Sequence, residues 1–162
     1  MRRRGSAVAV GASLWLACAL AWGQAAPAAA EVGQLVATVR DGTLEARAQA
    51  CQRLAIVGTA EAVPALAGLL ADPKLAAYGR LALEAIPGPE ATDALRAALG
   101  TLPGNLLIGV INSLGVRRDP RAVADLVPRL TAADSAVAAA AAAALGRIAS
   151  ADAGKALTDA LG

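Results

Sequence analysis

The sequence predicts an all-α protein, an α-solenoid of about four stacked helix pairs followed by a final unpaired helix. The first observation is a repeat, because leucine returns every 29 to 31 residues at Leu35, Leu66, Leu95, Leu126 and Leu157. The second observation is that two more apolar rows keep the same interval, at Val39, Leu70, Leu99, Leu130 and Leu161, and at Leu54, Leu83, Leu114 and Leu145. Repeats of about 20 to 50 residues are typical of stacked units that bury their apolar faces against neighbouring units.

Each repeat has the apolar spacing of two helices, with residues three and four apart on one face. We predict helix pairs over residues 32–40 and 44–57, 60–71 and 73–86, 89–100 and 103–115, and 120–131 and 135–148, with a last helix over 151–161. Asp72–Pro73 and Asp119–Pro120 each place an acidic cap before a proline at a helix start. The other expected caps are Thr43, Thr59, Asp134 and Ser150. Pro128 falls inside a predicted helix, where we expect a kink but not a break.

The first 30 residues differ in composition from the rest of the chain. Three arginines are followed by an apolar run from about residue 7 to 22 and then by a stretch of small residues. This pattern is typical of a secretory signal peptide with a linker over residues 1–30, and it predicts export to the periplasm or cell envelope. An uncleaved anchor is the alternative. Trp15 stands where a lipoprotein signal carries an aliphatic residue, so we do not expect lipid attachment at Cys18.

The exported part of the chain, residues 31–162, is predicted to be one repeat domain. Removing residues 1–30 takes away three of the 15 Lys and Arg residues and none of the 13 Asp and Glu residues, which leaves a net charge of −1. Nucleic-acid binding is not expected, because it requires a clustered cationic surface. No membrane span is expected after cleavage.

The side chains of catalysis and cofactor binding are scarce in this composition. There is no histidine, which removes the usual zinc sites, nucleophile triads and the commonest general base. Tyr78 is the only aromatic residue after position 30, and Cys51 the only thiol, which the helical spacing to Leu54 places in the core. We therefore predict no catalytic residues, no cofactor and no metal, and a protein that is not an enzyme.

One face of the second helices carries the candidate site. Residues nine, five and two positions before the third-row leucine point away from it, since each residue turns a helix by about 100°. In the first three units these positions are mostly polar or amphipathic. The candidate protein-binding ridge consists of Glu45, Gln49, Gln52, Lys74, Tyr78, Asn105 and Asn112. A merely solvated face is the alternative.

Two segments identify a family resemblance. Residues 59–73 (TAEAVPALAGLLADP) and 141–148 (AAAALGRI) resemble HEAT repeats, particularly the short variety of bilin-lyase-type HEAT-like proteins, over essentially residues 31–162. Classical HEAT and armadillo units are longer, and the signatures of tetratricopeptide and ankyrin repeats are missing. The resemblance implies that the second helices line a concave surface on which the ridge would serve recognition.

Two functions follow as expectations. The first is a non-catalytic exported scaffold that mediates protein–protein interaction, because a helix stack presents a long surface without special side chains. The alternative, implied only by the type of repeat, is a bilin-lyase-like enzyme or chromophore carrier. Leu157 and Leu161 on the last helix predict either further repeats or a docking or self-association surface at the C-terminal helix.

Overall fold

The computed structural model describes the backbone of residues 25–161 and the side chains of residues 29–160, and this part of the chain is all-helical. Nine α-helices follow one another within it: α1 (Ala25–Asp41), α2 (Leu44–Val57), α3 (Val63–Ala67), α4 (Ala76–Ala85), α5 (Pro89–Ala98), α6 (Gly104–Arg117), α7 (Val123–Leu126), α8 (Ser135–Ile148) and α9 (Ala151–Leu161). The predicted all-α class is confirmed. The predictions for the signal sequence and Cys18 concern residues before α1, which lie outside the described part.

The helix boundaries correct the sequence prediction in the first and second repeats. Helix α1 begins at Ala25 instead of residue 32. Alanine favours the helix, and Pro27 falls in the first turn, where its missing N–H costs no intrahelical bond. The predicted helix over 60–71 is a 3₁₀ turn, Ala60–Ala62, followed by the five-residue α3. Helix α4 starts at Ala76, after a turn in which the Asp72 carboxylate accepts from the Lys74 N–H.

The prediction of a kinked but continuous helix at Pro128 is wrong. The α-helical segment α7 ends at Leu126, and Val127–Arg129 form a 3₁₀ turn. Because Pro128 has no N–H to continue the α-helical pattern, the chain tightens and the Leu130 N–H donates to the Val127 carbonyl. Pro128 therefore ends the α-helix.

Four of the expected side-chain caps are present. The Thr43 hydroxyl accepts from the Ala46 N–H at 3.3 Å, the Asp134 carboxylate from the Ala136 N–H at 2.8 Å, and the Ser150 hydroxyl from the Ala153 N–H at 3.2 Å. Thr59 makes no capping hydrogen bond, so that prediction is wrong. The Asp119 carboxylate also precedes a 3₁₀ turn and accepts from the Arg121 N–H at 3.0 Å, so that predicted cap is confirmed.

The repeated leucines form the core. All four members of the third row, Leu54, Leu83, Leu114 and Leu145, have no exposed surface. Leu66, Leu95 and Leu126 of the first row are equally buried, whereas Leu35 and Leu157 at the two ends are only partly buried. Helix α2 packs on α4, α4 on α6, and α6 on α8. The second helices of successive repeats therefore lie next to one another.

Glycine lets α6 and α8 approach closely. A Cβ on Gly115 would lie 2.8 Å from the Ala144 Cα and 2.9 Å from the Arg147 Nε. Gly146 holds the same place after the third-row leucine of α8, and a Cβ there would meet nothing within 4 Å. The α6–α8 contact thus depends on the missing side chain at Gly115, whereas Gly146 faces open space.

Arg117 connects α6 to the end of α4. Its guanidinium donates to the carbonyls of Leu83, Glu84 and Ile86 and, at 2.7 Å, to that of Gly88. The carbonyls of Leu83, Glu84 and Ile86 lie at the C-terminal end of α4, where carbonyls lack intrahelical partners, and Gly88 is the residue before α5. Burial lowers the pKa of this guanidinium. Arg117 therefore fixes the third repeat to the second.

Candidate protein-interaction groove

The outer side of the second helices exposes most of the seven ridge residues. Glu45, Gln49 and Gln52 are exposed on α2, and Lys74 is exposed just before α4. Tyr78, Asn105 and Asn112 complete the set, of which Tyr78 and Asn112 are half-buried. Five of the seven line one groove between α2 and α4, and the two asparagines, both on α6, do not.

The groove between α2 and α4, here called the α2–α4 groove, has a volume of about 340 Å³. Its apolar surface comes from Leu44 and Ala48, with Leu75 beneath them, and its polar surface from Glu45, Gln49, Gln52, Lys74 and Tyr78. Leu75 is fully buried at its floor, while Leu44 keeps 43% of its surface exposed at the rim. This volume is at the lower end of the range of about 300–1,000 Å³ for ligand pockets, so the groove suits one or two side chains of a partner.

The polar side chains of the α2–α4 groove are not engaged with other groups of the described chain. Within residues 29–160, the side chains of Glu45, Gln49, Gln52, Lys74 and Tyr78 make no hydrogen bond or ion pair to protein. Helix packing holds Tyr78 against the core, so its ring is positioned without a hydrogen bond. The groove therefore keeps two amides, a hydroxyl and two opposite charges available for a ligand.

The two asparagines of the ridge have other positions. The Asn112 Oδ1 accepts from the Arg147 Nη2 at 2.7 Å, which joins α6 to α8. Asn105 is exposed in the first turn of α6. Asn112 thus supports the contact between two second helices, and the polar groove is confined to the first two repeats.

Exposed apolar side chains extend the same face beyond the groove. Ile56 on α2 is 76% exposed, Leu81 on α4 48% and Val116 on α6 49%. Ile56 and Val116 each lie two residues after a third-row leucine and, like residues two before it, turn away from the core. Neither residue is in the predicted ridge, because the ridge consists only of positions before the leucine.

On the side formed by the first helix of each repeat, ion pairs join neighbouring repeats. The Arg96 Nε donates to the Asp125 carboxylate, and the Arg121 guanidinium contacts Asp119 at 2.7 Å and Asp93 at 3.0 Å. The hydrogen bond from Arg121 is the main cause that lowers the pKa of Asp119 to about 2. These charges link α5 to the segment that begins at Asp119, and they satisfy one another. This side therefore differs from the α2–α4 groove, whose charges have no partners in the described chain.

A cleft of about 540 Å³ on this side is lined in part by Arg96, Asp125 and Arg129. The Arg129 Nη2 donates to the Leu99 carbonyl at 2.7 Å, and among the described residues its Nε is buried without a partner. Asp125 reduces the positive potential of the cleft, and the buried Nε is inaccessible to a ligand. Beside the last helix, Val127, Leu130 and Ala156 contribute to a more apolar groove of about 400 Å³.

Cys51 is a core residue. Its side chain has no exposed surface, which confirms the expected burial, and desolvation raises the pKa of the thiol to about 11. The nearby Arg47 lowers the pKa, but by less than burial raises it. A thiol attacks as the thiolate, so burial keeps Cys51 unreactive and unsuited to the covalent attachment of a chromophore.

Comparison with known proteins does not assign the chain to a family. No protein-family model matches it, and no curated protein matches it significantly. Among the described residues, no group of three or more Cys, Asp and Glu side chains is placed to hold a metal ion. No helix between residues 25 and 161 has both the length and the hydropathy of a membrane span.

Proposed function

We propose that this protein is a non-catalytic, exported scaffold of short HEAT-like repeats that stack as an α-solenoid, and that it binds another protein through the α2–α4 groove. The observation that carries the proposal is the convergence of Glu45, Gln49, Gln52, Lys74 and Tyr78 around one groove. Their positions were selected from the repeat register alone.

The packing of the second helices supports the α-solenoid. Each of these helices contacts the next one, and the equivalent leucines at their centres are all buried. A linear array of this kind offers one continuous face made of successive helices. The partial exposure of Leu35 and Leu157 at the two ends agrees with units that are stabilised by neighbours on both sides.

The composition of the groove supports a protein partner. Amides and a tyrosine hydroxyl can bind backbone and side-chain groups of a peptide, and tyrosine is enriched at the centre of protein interfaces. Leu44 at the rim and the exposed Leu81 and Ile56 add apolar area on the same helices. A polar set around an apolar floor resembles the anatomy of a recognition site more closely than that of a uniformly solvated helix face.

A capture experiment with matched variants tests the proposal. The purified protein is immobilised and exposed to an envelope extract of its source, and the bound proteins are identified by mass spectrometry. Gln49→Ala with Tyr78→Ala changes the α2–α4 groove, while Gln34→Ala with Thr59→Ala changes exposed positions outside both the groove and the ridge. We expect a specific protein to bind the wild type and the control variant and to be lost from the groove variant.

Circular dichroism of all three proteins checks that the helical content is unchanged. Equal capture of the same proteins by the groove variant and the wild type would remove the groove from the proposal. If the wild type and the control variant capture only proteins that also bind the uncoated support, the scaffold function itself is refuted.

A further inference from the structure

The mouth of the α2–α4 groove carries two opposite charges. Glu45 lies in the first turn of α2, and Lys74 lies 29 residues later, at the same place in the next repeat. Both line the groove, and in the described chain neither forms an ion pair. Because α2 packs on α4, the carboxylate stands on one wall and the ammonium on the other.

A ligand that crosses the groove from one wall to the other contacts first one of these charges and then the other. Packed helices have axes about 8–10 Å apart. An extended peptide rises about 3.3 Å per residue and points every second side chain to the same side. Three side chains at positions 1, 3 and 5 of such a segment span about 13 Å, somewhat more than the separation of two packed helix axes.

We propose that the α2–α4 groove binds an extended peptide segment of a partner protein in which an apolar side chain is flanked, two residues away on each side, by one basic and one acidic side chain. The apolar side chain contacts Leu44 and Ala48 above the buried Leu75, the basic group lies over Glu45, and the acidic group lies over Lys74. Gln49 and Gln52 supply amides for the peptide backbone. This inference rests on the proposed function and specifies the partner.

Three fluorescein-labelled peptides test the charge pattern by fluorescence anisotropy at low ionic strength. They share flanking Gly and Ser residues and contain the patterns Arg-Ser-Leu-Ser-Asp, Arg-Ser-Leu-Ser-Arg and Asp-Ser-Leu-Ser-Asp. For the wild-type protein we expect the mixed peptide to bind about threefold to fivefold more tightly than either of the others, as an exposed ion pair permits. Replacing Leu by Ser in the mixed peptide should abolish binding.

Single charge variants should switch this preference. Glu45→Lys makes both walls cationic and should favour the doubly acidic peptide, whereas Lys74→Glu makes both walls anionic and should favour the doubly basic one. Asp41→Lys and Arg40→Glu are matched controls, because they change the net charge equally at exposed positions that do not line the groove. The controls should keep the wild-type preference for the mixed peptide.

The outcomes separate this inference from the proposed function. If the three peptides bind the wild type equally, or if the controls switch preference as the groove variants do, the charge pattern is refuted. Should that happen while the groove variant still loses its captured protein, the scaffold function stands and the partner specification fails. If no peptide binds and the groove variant also captures normally, the charge pattern and the assignment of binding to the α2–α4 groove are both refuted.

Discussion

The pair Gly115 and Gly146 allows the close approach of α6 and α8 to be measured. The two glycines follow the third-row leucines of neighbouring repeats, near the ends of their helices. Replacing either by alanine gains helix propensity, about 0.8–1.0 kcal/mol in a helix interior. Because this gain is similar at both sites, it cancels when the two variants are compared.

The remaining difference is the cost of placing a methyl group between two helices. At Gly115 the new Cβ would lie 2.8 Å from the Ala144 Cα and 3.0 Å from the Ala144 Cβ. The Arg147 side chain can turn away, but the Ala144 backbone can yield only if the helices separate. Overpacking of this kind costs about 1–3 kcal/mol. At Gly146 the surroundings are open, and no such cost applies.

We therefore expect Gly146→Ala to be about 1–3 kcal/mol more stable than Gly115→Ala, with the wild type between them or close to the less stable variant. Urea unfolding followed by circular dichroism at 222 nm measures the three free energies, and unchanged m-values would show that the unfolding reaction is the same. Equal stability of the two alanine variants would refute the close packing of α8 on α6.

Three further predictions concern the core and its polar contacts. Leu114→Ala should lower the free energy of unfolding by about 2–5 kcal/mol, because Leu114 is fully buried, and a loss below 1 kcal/mol in urea titration would contradict the register. Arg117→Met should cost about 1–3 kcal/mol by leaving carbonyls at the end of α4 without donors, and Arg117→Lys should restore part of it; thermal melts that match the wild type would exclude this role. The raised pKa of Cys51 adds stability that is full below pH 9 and is lost between about pH 9 and 11, so the fall in stability over that range should be smaller in Cys51→Ala. Identical pH profiles would argue against a buried neutral thiol.

The sequence predicted the bounds of α2, α8 and α9, whose starts are marked by capping residues, better than those of α1. Helices α8 and α9 have the predicted bounds, and the third-row leucines are buried as expected. The shorter helices α3 and α7 were less predictable. Both follow 3₁₀ turns, whose residues satisfy much the same spacing as an α-helix, so only the hydrogen-bond pattern distinguishes the two.

The candidate site was predictable in part. A 100° rotation per residue was sufficient to find the five polar residues of the α2–α4 groove, because helix faces follow directly from the register. Ile56 and Val116 were missed because the position two residues after each third-row leucine was not considered. The role of Arg117 was not predictable, because its partners are backbone carbonyls about 30 residues away. Every residue has a backbone carbonyl, so the sequence does not show which of them accept.

Because Arg117 binds the end of α4, the second and third repeats cannot be exchanged freely with the other repeats. If one repeat were removed or inserted between α4 and α6, Arg117 would no longer lie beside the end of α4. The α4 carbonyls would then have to bind water or a different side chain. Removing or adding a repeat before α2 or after α8 would spare this contact. An engineered shortening or lengthening of the protein should therefore begin at its termini, with the central junction kept intact.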